Sequence, residues 1–162
     1  MADMVRVRSA SDFTLVINAP EIPLVKTWVK RGAFYPIPRD ALIQAFYSTS
    51  LESLVRKGML IIEDKQFLQE VGLMEVDEKG EETVTTFELT PVIMEKMISG
   101  AMPLWEVEKT LAKMSEYQIS ELAEYAITNY TKLKMDRIEL LTKASHKNIL
   151  KAIELYKASQ ED

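Results

Sequence analysis

The chain has 162 residues, is 47% apolar and carries a formal net charge of −5, so it can bury one hydrophobic core or two small ones. Six prolines, five glycines and 28% charged residues exclude a collagen-like or linker-type composition. The chain contains no cysteine, which excludes disulfides, thiolate metal sites and cysteine nucleophiles.

The charge is divided unevenly along the chain. Residues 1–73 carry nine basic and eight acidic side chains, whereas the remainder carries eleven and seventeen. An acidic surface repels phosphate backbones, so nucleic-acid binding through the second half is disfavoured. The apolar stretch at 15–17 is too short for a signal peptide, and no apolar run approaches the roughly 20 residues that span a bilayer. We therefore expect neither secretion nor a membrane span.

The first half contains brief β-rich runs separated by proline, glycine and asparagine. Val5 and Val7 alternate with arginines, a period of two that indicates a half-buried strand. A short helix is expected after Pro38, and a second from Ser50 to a stop at Gly58. The predicted order is β-β-β-α-α-β, followed by a short helix that ends at Gly72. The predicted strands are 4–8, 13–17, 24–30 and 59–62.

A polar, acidic stretch at 77–82 then marks the best domain boundary. β-like residues flank it at 73–76 and 83–89 and could pair across Lys79 and Gly80. We therefore expect a β-rich module with two short helices at 1–73, an acidic linker or hairpin at 74–89, and a helical bundle at 90–162.

The bundle is predicted from repeated helix-start signals. Ser115 and Gln118 form a capping box that opens the clearest apolar stripe in the chain. None of the helices is long enough to be stable alone, so their apolar stripes must pack together. The fold class is therefore predicted to be α+β, a small N-terminal β-rich module followed by a C-terminal α-helical bundle. The five helices are expected to begin near Thr90, Pro103, Ser115, Met135 and Ser145.

The sequence contains no recognisable catalytic set. His146 is the single histidine, so a histidine-based triad or a two-histidine metal site cannot form within one chain; we expect it exposed in the first turn of the last helix. The five glycines stand far apart, which excludes a glycine-rich phosphate loop. The acidic pairs are interpreted as solvated surface. We predict a protein that is not an enzyme and that has no cofactor or metal.

A basic and aromatic set in the first half is the best candidate for an interaction surface. Alternation along 24–30 would place Lys26, Trp28 and Lys30 on one strand face, which favours either nucleic-acid or protein contacts. Nearby acidic residues dilute the positive charge, so a protein partner or simple solvation is preferred. Trp28 and Trp105 each lie beside polar positions and are interpreted as exposed anchors. The candidate partner interface is Lys26, Trp28, Lys30, Arg31, Phe34 and Trp105.

Four segments of the first half form a recurrent layout of strands, a turn glycine and a basic residue before glycine. They are VRVRS at 5–9, TLVI at 14–17, WVKRG at 28–32 and LVRKGMLIIED at 54–64. This layout, which covers about two-fifths of the chain, resembles the small β-rich module of minor structural proteins, capsid- or head-to-tail-associated, in tailed bacteriophage virions.

The resemblance implies a non-enzymatic virion component that binds neighbouring coat, portal or tail subunits. It implies docking through the exposed face of the basic strand and the ends of the bundle, assembly in the host bacterial cytoplasm, and no catalytic residue.

Two other interpretations stay open. The two short helices before strand 59–62 could belong to a winged-helix DNA-binding regulator, although Arg56 and Lys57 are a poor supply of DNA contacts. The acidic bundle could instead serve an intracellular adaptor. All three interpretations, the virion component, the regulator and the adaptor, are compatible with a homo-oligomer.

Overall fold

The computed structural model describes residues 3–84 and 86–161, and the chain divides into two compact units with the boundary between Glu88 and Leu89. All strands of the described residues lie in the first unit, and the second unit is built from helices. The predicted α+β class is therefore confirmed. Within the described ranges, no helix combines the length and the apolar character that crossing a bilayer requires.

The N-terminal unit contains a three-stranded antiparallel sheet and two antiparallel strand pairs. The sheet has the order β4-β1-β5, and the separate pairs are β2-β3 and β6-β7. The elements in chain order are β1 (Met4–Ser9), β2 (Leu15–Ala19), β3 (Leu24–Trp28), β4 (Phe34–Pro38), α1 (Arg39–Ser48), α2 (Leu51–Arg56), β5 (Leu60–Ile62), α3 (Lys65–Glu70), β6 (Met74–Val76) and β7 (Glu82–Val84).

Strand β4 was not predicted, and its prolines explain the omission. Pro36 and Pro38 cannot donate to a β-ladder, so the segment does not have the sequence of a central strand. In the structure β4 lies at the edge of its sheet, where it pairs with β1 alone and Pro36 faces Arg6. An edge strand needs N–H donors on one side only. The predicted order therefore lacks one strand.

The boundaries of strands β2 and β3 also differ from the predicted ones. Strand β3 stops at Trp28 rather than at Lys30, because the chain then turns to meet the end of β1. In that turn the backbone N–H of Gly32 donates to the carbonyl of Ser9 at 2.9 Å, and the N–H of Ser9 donates to the carbonyl of Ala33 at 2.8 Å. Gly32 adopts a φ of 90°, which favours glycine. These bonds join the β2-β3 pair to the main sheet.

The core of the N-terminal unit lies between the strands and helices α1, α2 and α3. Phe46 of α1 and Phe67 of α3 meet edge to face with ring centroids 6.1 Å apart, and both are fully buried. Asp64 begins α3 by accepting a hydrogen bond from the backbone N–H of Phe67 at 2.8 Å, which is the geometry of an N-cap. The other buried apolar side chains of this core come from strands β1 to β5, from α1 and α2, and from Val71 and Leu73 after α3.

Arg8 of β1 fastens the end of the N-terminal unit to the main sheet. Its guanidinium donates to both carboxylate oxygens of Glu88, at 2.6 and 2.9 Å, and to Glu63 at 2.7 Å. Hydrogen bonds to Glu88 and then to Glu63 raise the pKa of Arg8 further above its usual value. A two-pronged arginine–carboxylate pair also fixes orientation, so residue 88 is held beside β1.

The segment at 74–89 contains a short hairpin. Strand β6 pairs with β7 in the register Met74↔Val84 to Val76↔Glu82, and Asp77 accepts hydrogen bonds from the backbone N–H groups of Lys79 and Glu81 in the turn. The second strand is shorter than the expected 83–89. Thr85, which falls within that expectation, lies outside the described residues.

The C-terminal unit packs its helices around the longest of them, α6, which contacts α4, α7 and α8. Its buried face carries Leu122, Ala123, Ala126 and Ile127, the apolar stripe that the sequence indicates. Met94, Met97 and Met114 are also buried and fill the core. The helices are α4 (Pro91–Ser99), α5 (Leu104–Leu111), α6 (Glu116–Thr128), α7 (Met135–Ser145) and α8 (Ile149–Gln160).

Capping side chains set the helix starts in this unit. Thr90 caps α4, and Ser115 with Gln118 forms the predicted capping box of α6. The expected start of the last helix after Ser145 is wrong, because the side chain of Asn148 accepts from the N–H of Lys151 at 3.1 Å and begins α8 at Ile149. His146 is exposed, as expected, but it lies at the C-terminal end of α7 with a φ of 59°.

Arg137 of α7 is the buried charged side chain of the bundle, with 2% of its surface exposed. Its guanidinium donates to the carbonyl of Met97 at 3.1 Å and to the carbonyl of Met102, and it pairs with Asp136 at 2.9 Å. The last carbonyls of a helix have no partner within the helix. Arg137 therefore satisfies the end of α4 and the turn that follows it, and joins both to α7.

We expect Arg137→Met to destabilise the C-terminal unit by about 2–4 kcal/mol, because buried carbonyls would lose their donor and Asp136 its counter-charge. The measurement is urea unfolding followed by circular dichroism. Arg56→Met is the matched control, since Arg56 and Glu52 form a half-exposed pair on α2, and its effect should stay within about 0.5 kcal/mol. Equal effects of the two substitutions would contradict the role of Arg137.

Candidate partner-binding surface

The hairpin of β2 and β3 presents one face to the core and one to solvent. Leu15, Ile17 and Ala19 of β2 are buried, whereas Val16 and Asn18 between them are exposed. On β3, Leu24 and Trp28 are buried and Val25 is exposed. The pairing register places Val16 opposite Thr27 and Asn18 opposite Val25. These four residues form the outer hairpin face.

The outer hairpin face is uncharged and carries two exposed valines. Val16 is 51% exposed and Val25 is 56% exposed, although valine is more often buried than exposed in folded proteins. Phe13, just before β2, and Val29, just after β3, are exposed as well. The exposed apolar side chains therefore extend from the middle of the hairpin to its open end.

Trp28 determines which face of the hairpin points inward. Its indole is fully buried, its Nε1–H donates to the carbonyl of Val7 on β1 at 3.0 Å, and its ring meets that of Tyr35 edge to face at 5.5 Å. Tyr35 in turn donates its hydroxyl to the carbonyl of Thr27 at 2.8 Å. The exposed anchor predicted at Trp28 is therefore wrong: this side chain joins the hairpin to the main sheet.

The predicted basic face of β3 is also wrong in its details. Lys26 has the same strand parity as Trp28, and its ammonium lies 5.1 Å from the centre of the Tyr35 ring, so it is half-buried rather than displayed. Lys30 is exposed but lies beyond the end of β3. The two lysines and Trp28 therefore do not form one exposed strand face.

The other members of the predicted interface lie in three different settings. Arg31 pairs with Asp12 at 3.1 Å, which brings the two ends of the hairpin together. Phe34 is half-exposed on β4, and the guanidinium of Arg6 lies 3.7 Å from its ring centre, a cation–π contact. Trp105 is 66% exposed on α5 of the C-terminal unit. Its exposure was expected, and its role as an anchor stays a prediction.

The outer hairpin face was not predicted, because the alternation in β2 is ambiguous. The strand reads LVINA, in which both alternating sets are uncharged and largely apolar, so the period of two does not identify the inner side. The volume of Trp28 was the available signal. Placing that indole inward would have put Lys26 inside with it and Val25 and Thr27 outside.

Titratable groups form no metal-binding cluster in the described residues: nowhere in 3–84 or 86–161 do three histidine, aspartate or glutamate side chains come together suitably for an ion. The C-terminal unit carries a half-open cleft of about 340 Å³. His146 lines it beside Glu116, Ser120 and Ser145.

Comparison with known proteins provides no relative: no family model matches the chain, and no curated protein and no solved structure is significantly similar to it. The resemblance to virion proteins therefore stays a hypothesis from the sequence pattern.

The burial of Trp28 can be measured in the Trp105→Phe variant, in which Trp28 is the one remaining tryptophan. We expect acrylamide to quench its fluorescence several-fold less efficiently than that of the wild-type protein, because the quencher reaches Trp105 but not Trp28. Urea-unfolded protein serves as the control, and there both proteins should be quenched alike. Unchanged quenching in the folded variant would contradict the inward orientation of Trp28.

Proposed function

We propose that this chain is a non-enzymatic structural subunit of a tailed-phage virion, where it binds neighbouring coat, portal or tail proteins. The observation that carries the proposal is the outer hairpin face, an uncharged surface with two exposed valines on a hairpin that is hydrogen-bonded to the main sheet. The virion assignment itself draws on the sequence segments at 5–9, 14–17, 28–32 and 54–64. The surface supports the protein-binding part.

The energetics of the outer hairpin face favour a protein partner. Covering a half-exposed valine recovers about 1 kcal/mol of hydrophobic free energy. Val16 and Val25 lie at diagonal positions of two paired strands, and the exposed Val29 follows β3. Protein interfaces have an apolar centre depleted of charge and a polar rim. Here Lys30 and the Asp12–Arg31 pair lie at the open end of the hairpin, beside the apolar centre.

Nucleic acid is a poorer match to this surface. Binding to phosphates needs arginine and lysine side chains that are free to reach them. In this region the ammonium of Lys26 lies over Tyr35, and the guanidinium of Arg31 is engaged with Asp12. The outer hairpin face itself displays valine, asparagine and threonine, which offer no positive charge. The outer hairpin face therefore provides no positive charge that would support a DNA-binding regulator.

The proposal is tested by mass spectrometry of gradient-purified particles from the source phage. We expect this chain at a fixed, stoichiometric ratio to the major coat protein. Its absence from purified particles would overturn the virion assignment.

The contribution of the outer hairpin face to partner binding can be measured by assembling particles with Val25→Lys protein. We expect incorporation to fall at least tenfold, because the partner would have to bury an unpaired charge, while the stability of the free chain changes by less than about 0.5 kcal/mol. Val76→Lys is the matched control, since Val76 is also an exposed valine in a hairpin of the same unit. Equal incorporation of the two variants would show that the partner binds elsewhere.

A further inference from the structure

The strand edges of the N-terminal unit are protected to very different degrees. Strand β4 forms one edge of the main sheet and carries Pro36 and Pro38. Proline on an edge strand removes N–H donors and prevents pairing with another chain. Strand β5, at the other edge, is three residues long, and short edge strands are also poor templates. Both edges of the main sheet are thus poor templates for pairing with a strand of another chain.

Strand β2 has none of these protections. Its five residues, LVINA, contain no proline, glycine or charge. Across residues 3–84 and 86–161, β2 pairs with β3 alone, and no backbone hydrogen bond reaches the other edge of β2 between Leu15 and Asn18. In an antiparallel pair, every second residue directs its N–H and C=O away from the partner strand. The free edge of β2 therefore offers unpaired donors and acceptors beside the exposed Val16.

The composition of β2 suits a second copy of itself as the occupant. Like charges directly opposite each other destabilise a strand pair, and a neutral strand can pair with its own copy without this cost. In antiparallel pairing about Ile17, each Val16 would lie opposite the Asn18 of the other chain, and the buried Leu15 opposite Ala19. The inner face would remain apolar and the outer face uncharged, as in each hairpin alone.

We propose that two copies of this chain associate by antiparallel pairing of their β2 strands. The pairing joins the two hairpins into one four-stranded sheet of order β3-β2-β2-β3, and it satisfies the free backbone edge of each. It also joins the two outer hairpin faces into one continuous uncharged surface. The contact is isologous, so it closes on itself as a twofold dimer rather than forming a filament. The proposal concerns the free protein and goes beyond the virion assignment.

The test is sedimentation equilibrium of the purified full-length protein over micromolar concentrations. We expect a species of twice the 18.5 kDa chain mass. The double variant V16K/N18K should weaken the dimer roughly tenfold or more, because two pairs of like charges would face each other across the strands. Mixing V16K/N18K with V16E/N18E should restore a dimer, since opposite charges then face each other.

Val25→Lys is the matched control, because Val25 is equally exposed but lies on β3, one strand away from the proposed contact. It should leave the dimer intact, and thermal melts should show that every variant is folded. A monomeric wild type would overturn the proposal, as would an unchanged V16K/N18K dimer or an oppositely charged mixture that does not associate. Since these measurements use free protein, absence of the chain from particles would leave the dimer untouched.

Discussion

The N-terminal unit is organised around the indole of Trp28, whose side chain joins the β2-β3 pair to the main sheet. Burying an indole requires a partner for its N–H, and the carbonyl of Val7 on the central strand β1 provides it. The bond links β3 to a strand with which it shares no ladder. Once Trp28 lies inside, strand alternation determines the side of the hairpin on which each other side chain lies. Lys26 must share the inner side, and Val25 and Val16 must face solvent.

The surface properties of the unit follow from this one orientation. Lys26 and Arg31 are held by Tyr35 and Asp12, and Val16 and Val25 are exposed instead of joining the core. Tyr35 reinforces the arrangement because its ring contacts Trp28 and its hydroxyl bonds to β3. The hairpin is therefore joined to the main sheet, uncharged on its outer side and unpaired along the edge of β2.

The helical unit depends on a different kind of constraint, a buried charge that satisfies backbone carbonyls. Arg137 holds the end of α4 and the turn after it against α7, and removing its charge would leave those acceptors unpaired. Because the helices are short, their stability comes from packing and from such terminal contacts rather than from propensity. Capping by Thr90, Ser115 and Asn148 adds to this at three helix starts.

Local signals in the sequence predicted most of the helical unit, whereas the sheet arrangement needed contacts between distant residues. The capping box at Ser115 and Gln118 depends on neighbours within a few positions, so the sequence reveals it. Strand β4 was missed because its prolines are tolerated only at an edge, and edge position depends on the whole sheet. His146 was placed one helix too far along because Asn148, rather than Ser145, caps α8.

The candidate surface was misplaced for a similar reason. The pattern around Trp28 contains both an apolar and a basic alternating set, and only the distant carbonyl of Val7 decides which set is buried. The residues Lys26, Lys30 and Arg31 were noticed for their charge. The exposed apolar residues of the hairpin are instead Val16 and Val25, whose side chains carry no distinctive chemistry and which are recognised only through their exposure.

Selective labelling of valine methyl groups, with a soluble paramagnetic agent added to the full-length protein, tests the orientation of the hairpin most directly. The methyl signals of Val16 and Val25 should broaden strongly, while those of Val5 and Val7, buried in the same unit, should remain sharp. Protected Val16 and Val25 methyls in a folded monomer would contradict the account, because the hairpin would then present its Lys26 and Trp28 side to solvent.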